Sequence, residues 1–225
     1  MGESVEFGPV RGYLAAGEGA GLGVVVIQEW WGLVPHIREV CDRFAAEGFT
    51  ALAPDLYEGR TIPNREPDEA EKAMMALDLP RAARTLTTAV DHLVEHPAVR
   101  GHGVGVVGFC MGGGLALWLA SLRPDQVKAV VPFYGAFPWE EAQPAWDRVL
   151  APVEGHYGAD DDWATPELAR EIEAQLRARG REVRMFVYPG AGHAFSNDSR
   201  PEAFNEDAAR QAWVRTLEFL RAKLG

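Results

Sequence analysis

The chain has 225 residues, 47% of them hydrophobic, which is enough to bury a large core within a single domain spanning 1–225. Its 22 Lys and Arg against 33 Asp and Glu leave a net charge of −11, which argues against a nucleic-acid or acidic-membrane partner. Two distant cysteines do not make a disulfide framework, the longest apolar run is much shorter than a membrane span, and the polar start Met1–Ser4 shows no secretory signal, so a cytoplasmic protein is expected.

In chain order, Val5–Ala15 alternates weakly around a Gly-Pro break and predicts a short antiparallel hairpin. The β-branched run Gly23–Gln28 predicts a strand buried on both faces. A helical pattern from Pro35 to Glu47 ends at Gly48, and Thr50–Ala53 is the next strand, closed by Pro54-Asp55. After a polar loop from Tyr57 to Pro67, helices are expected over Asp68–Leu77 and Pro80–Glu95. Strands follow at Val104–Val107, Lys128–Tyr134, Pro152–Tyr157 and Val183–Tyr188. Thr165 and Pro166 suit the N-cap and first turn of the helix between the last two. A final helix is expected from Pro201 to Lys223, with Ser199 and Glu202 spaced as a capping box. Strands alternating with helices predict a mostly parallel sheet covered on both faces, with right-handed crossovers.

Sites in such sheets lie at the C-terminal ends of the strands. Glu29-Trp30-Trp31, Cys110, Tyr134, Asp160–Asp162 and His193 all fall just after predicted strands, so they are expected along one edge. The stretch Gly108-Phe109-Cys110-Met111-Gly112-Gly113 has the setting of a nucleophile elbow: strand, tight turn with small residues on both sides, then helix. Its central residue is a cysteine, and the positive end of the helix dipole favours a thiolate there. The letters G-x-G-x-x-G are met by Gly103–Gly108, but they span the strand instead of opening a helix, so no dinucleotide site follows.

His193, between small residues on a loop, is the candidate base, able to take the thiol proton and return it to a leaving alkoxide. His92, His96 and His102 lie on the far side of the elbow strand, and His36 and His156 fit structural positions. Gly158-Ala159-Asp160-Asp161-Asp162 offers three carboxylates to orient the imidazole. A metal is not expected there, because no His or Cys stands at ligand spacing and the acids are consecutive. Nucleophile, acid and base then occur in α/β-hydrolase order.

The segments Gln28-Glu29-Trp30-Trp31-Gly32, Ala53-Pro54-Asp55-Leu56-Tyr57, Gly108–Gly113, Gly158-Ala159-Asp160-Asp161 and Gly192-His193-Ala194-Phe195 resemble, in order and over nearly the whole chain, the dienelactone hydrolase family. The resemblance implies an α/β-hydrolase fold and a triad of Cys110, Asp161 and His193, the glycine three residues before the acid selecting Asp161. It also implies that Glu29 interacts with the resting thiol and is displaced by substrate, guarding the sulfur from oxidation. The amides of Trp30 and Met111 would form the oxyanion hole.

Members of the family hold a substrate carboxylate with arginines, but this chain has Asn197 where one would stand, and Arg60, Arg65 and Arg200 cannot be aligned with the other. Trp31, Tyr134, Trp163, Phe195 and Asn197 are the candidate substrate contacts, some of the aromatics being core. The expected activity is hydrolysis of small esters or lactones through an acyl-cysteine, without a cofactor, by a monomer or homodimer. Two rivals are a thiol-redox protein using Cys110 and a non-catalytic ligand-binding pseudo-hydrolase. The first lacks a C-x-x-C motif, and the second leaves a complete set of reacting groups idle.

Overall fold

A computed structural model describes residues 2–225. Eight strands form one sheet: β1 (Glu3–Phe7), β2 (Val10–Ala16), β3 (Gly21–Ile27), β4 (Phe49–Pro54), β5 (Val99–Phe109), β6 (Val127–Phe133), β7 (Val153–Gly158) and β8 (Val183–Tyr188). Their order in the sheet is β1-β2-β4-β3-β5-β6-β7-β8. The predicted hairpin is β1 and β2, which run antiparallel and join the sheet at β4; from β4 to β8 every pairing is parallel. The strand order reverses between β3 and β5, and the crevice beyond the C-terminal ends of strands at such a reversal is where ligands bind.

The helices are α1 (Pro35–Ala46), α2 (Pro67–Met75), α3 (Leu79–Glu95), α4 (Met111–Leu122), α5 (Pro166–Arg177) and α6 (Glu206–Leu224). Successive strand residues point to opposite faces, and the helices divide accordingly. A Cβ on Gly23 would meet Leu93 of α3, whereas one on Gly105, the partner of the next residue Val24, would meet Leu220 of α6 at 2.7 Å. On the α6 face α1 also packs, through Phe44 against Trp213 with ring centroids 4.6 Å apart. The glycines of the G-x-G-x-x-G letters thus serve packing and the elbow turn, with the whole motif inside β5. The central strands are buried on both faces, as their unbroken apolar runs require: every residue of β3 and β4 is buried.

The last helix departs from expectation. It begins at Glu206, five residues later than the pattern predicts, and Asn205 caps it by accepting from the Ala208 N–H at 3.1 Å. Ser199 is no cap, since its hydroxyl donates to Asn197 Oδ1 at 2.6 Å, and residues 201–203 form a turn. Among the described residues no helix is long and apolar enough to cross a membrane.

Candidate active site

Cys110 stands between β5 and α4 with φ 58° and ψ −123°, a left-handed conformation that a side-chain-bearing residue adopts only when its surroundings impose it. The surroundings are two glycines. A Cβ on Gly108 would collide with the Gly112 carbonyl, and one on Gly112 would sit 2.5 Å from the carbonyl oxygens of both Ile27 and Gln28. The turn is therefore wedged directly against the end of β3, the strand that delivers Glu29. Of the four non-glycine residues with positive φ among the described residues, three are at this edge: Cys110, Tyr134 and Ala194, the last directly after His193.

The Cys110 thiol is almost fully buried. Burial pushes its pKa well above the ordinary thiol value, and the nearby Glu29 carboxylate pushes in the same direction. The backbone N–H groups of Met111 and Trp30 oppose the shift without reversing it. The helix dipole alone suggested a resting thiolate, but desolvation prevails and the resting group is a neutral thiol.

The acidic run after β7 resolves into one buried and two exposed residues. Asp160 and Asp162 face solvent, while Asp161 is buried. Its Oδ1 accepts from the N–H groups of Trp163 and Ala164 at 2.9 and 2.8 Å, and its Oδ2 lies 2.8 Å from His193 Nδ1. A carboxylate acceptor at Nδ1 places the imidazole proton there and leaves Nε2 with its lone pair. That Nε2 atom is buried and has no partner among the described residues. His193 is further fixed by edge contacts with Trp163 and Tyr134, at 4.9 and 5.1 Å between centroids.

Both Glu29 oxygens accept from other groups, Oε1 from the Tyr134 hydroxyl at 3.3 Å and Oε2 from Asn197 Nδ2 at 2.7 Å, and among the described residues no hydrogen bond joins Glu29 to the thiol. Its influence on the thiol is one of charge. Asn197, expected to face substrate, is buried and faces Glu29 instead. Trp31 and Phe195 are corrected as well. Trp31 packs in a small cluster with Ile62 and Ala70, and Phe195 is core, against Tyr134 and Tyr188. Tyr134 is buried behind His193. Of the five candidate contacts only Trp163, 38% exposed, opens to solvent, and it stacks on half-buried Trp30 with centroids 6.1 Å apart.

Four contributors had no part in the site as read from the sequence. Ser196 Oγ lies 2.8 Å from the Tyr134 hydroxyl, and Ser199 supports Asn197 through both its N–H and its hydroxyl. Gln28 Oε1 accepts from the Leu56 N–H at 3.2 Å, tying the end of β3 to the loop after β4. The adjoining Tyr57 reaches Met111 Sδ at 3.6 Å. Only Gln28 and Tyr57 had a signal, since both stand in motifs shared with the family. Among the other histidines, His156 is sealed between the Tyr188 and Thr216 hydroxyls, and burial drives its pKa down to about 3.

The model of the dienelactone hydrolase family matches residues 10–224. The chain belongs to that family. It is 37% identical over 234 residues to protein usf of Aquifex pyrophilus and 33% identical over 234 residues to an Aquifex aeolicus protein named "Putative carboxymethylenebutenolidase", with all of each chain covered in both comparisons. A dienelactone hydrolase structure from Klebsiella pneumoniae, itself named as putative, superposes with TM-score 0.86 over 98% of each chain at 26% identity. The fold is that of the α/β-hydrolases, and the chain is a hydrolase of the ester- and lactone-cleaving kind.

Proposed function

We propose that this family member hydrolyses small neutral esters or lactones through an acyl-cysteine, with Cys110 as nucleophile, His193 as general base and Asp161 orienting it. The observation that carries the reading is His193. Its Nδ1 is tied to a buried carboxylate while its Nε2 is left unpaired, at the same sheet edge as an elbow thiol.

In this scheme Nε2 takes the thiol proton as sulfur attacks the substrate carbonyl, forming the S–C bond. The carbonyl oxygen becomes an oxyanion received by the Trp30 and Met111 N–H groups. Collapse breaks the C–O bond, and the leaving alkoxide takes the proton from Nε2. A water deprotonated by the same nitrogen then attacks the thioester, releasing the acid and restoring the thiol. Every proton is handled by His193, and the side chains supply the chemistry without a cofactor. The acidic composition and free thiols suit the cytoplasm, as monomer or homodimer. A redox role finds no resolving thiol, because Cys41 is buried in α1 with its pKa pushed up by burial.

Because nucleophile and base act as one unit, Cys110→Ala and His193→Ala should each remove nearly all turnover of a neutral aryl ester. The double variant should lose no more than either single one. Retention of most activity by Cys110→Ala would overturn the mechanism.

A further inference from the structure

We propose that Asn197 is a positioning residue that holds Glu29 away from Cys110 before substrate arrives, so that the thiol of this enzyme is left available to His193; this rests on Cys110 being the nucleophile. The argument begins with the Asn197 amide, which is 1% exposed and has no solvent to satisfy it. Its Oδ1 lies 3.1 Å from the Ser199 backbone nitrogen, which can only donate. Oδ1 must therefore face Ser199, and the Ser199 hydroxyl adds a second donor to it. With the oxygen so placed, Nδ2 has to face Glu29 Oε2, 2.7 Å away. A flipped amide would set NH2 against N–H and oxygen against carboxylate.

The other oxygen of Glu29 is held in the same sense. The Tyr134 hydroxyl has one proton, which it donates to Oε1, so Ser196 supplies the donor to the tyrosine oxygen. Donors thus converge on Glu29 from both sides, each fixed by a second residue behind it. A buried carboxylate stays where its donors are, because leaving one oxygen unpaired is costly. Without the Asn197 donor, the thiol S–H is the group that Glu29 can turn toward, and a thiol bound to a carboxylate is withheld from the base.

The test is iodoacetamide alkylation of substrate-free protein, followed from pH 6 to 10, with Cys110 read separately from Cys41 by peptide mass. Asn197→Ala should label Cys110 roughly tenfold more slowly near neutral pH, the equivalent of one lost hydrogen bond to a charged group. Its rate profile should shift to higher pH. Adding Glu29→Ala should abolish the difference, because the effect acts through that carboxylate. Tyr134→Phe, which keeps the packing of the ring, should slow labelling in the same direction. Labelling of Asn197→Ala at the native rate, or an equal slowing with and without Glu29, would overturn the inference. Should Asn197→Ala not fold, Asn197→Ser, which keeps a polar group but is too short to reach Glu29, and Asn197→Ser/Glu29→Ala decide by the same criteria. Alkylation needs no turnover, so these outcomes are distinct from those of the Cys110→Ala hydrolysis assay.

Discussion

At the scale of single residues, the site is built from side chains whose two ends do different work. Asp161 shows this most plainly: one oxygen is pinned by two backbone N–H groups, so only the other meets His193. Asp161→Asn should keep the fold, because the amide oxygen satisfies the same two N–H donors. Its NH2 would then face His193 Nδ1 and force the proton onto Nε2, where a base is needed. The expected loss is on the order of 10⁴ in kcat with little change in unfolding temperature, by comparison with the same swap in another triad. A kcat within tenfold of native would mean that Asp161 does not set the tautomer.

At the scale of elements, the strands and helices deliver these residues by their ends. Four parallel strands contribute, Glu29 following β3, Cys110 following β5, Tyr134 following β6 and Asp161 following β7, while the loop after β8 carries His193. That loop is tethered to α6 by Asn205, which caps the helix and donates through Nδ2 to the Gly190 carbonyl at 3.0 Å. Asn205→Ala should lower stability by about 1 kcal/mol, the usual worth of an N-cap. Glu202→Ala should leave stability unchanged, since Glu202 is an exposed partner of Arg200 and takes no part in a capping box. Urea melts of the two variants separate the observed cap from the one the residue spacing suggested.

At the scale of the whole molecule, charge bears on the choice of substrate. The net charge of −11 weakly opposes anions, and the three arginines that lie near the site motifs in sequence each pair with a carboxylate. Arg60 pairs with Glu69 at 3.5 Å, Arg65 with Glu66 at 3.9 Å and Arg200 with Glu202 at 2.9 Å, while Asn197 is turned to Glu29. An anionic lactone entering the site would lose hydration, and these three arginines already have carboxylate partners. Neutral esters or lactones should therefore exceed dienelactone in kcat/KM by at least about tenfold, the worth of one charge-assisted contact. A preference for dienelactone would direct mutagenesis to Arg60, Arg65 and Arg200.

The amino-acid sequence by itself determined the alternation of strands and helices, the elbow at Cys110 and the candidacy of His193 and Asp161. These are local matters: apolar runs, glycines at a tight turn, polar loops after strands. The helix start at Asn205 was not legible, because Ser199 has capping chemistry and only the folded loop shows its hydroxyl spent on Asn197. Aromatic identity likewise could not sort Trp163, which opens to solvent, from Trp31 and Phe195, which are core. The tertiary structure alone decided the protonation of Cys110 and the partners of Glu29. Both depend on which groups from distant segments share one water-poor space: Glu29 and Asn197 are 168 residues apart in the chain and 2.7 Å apart in the fold.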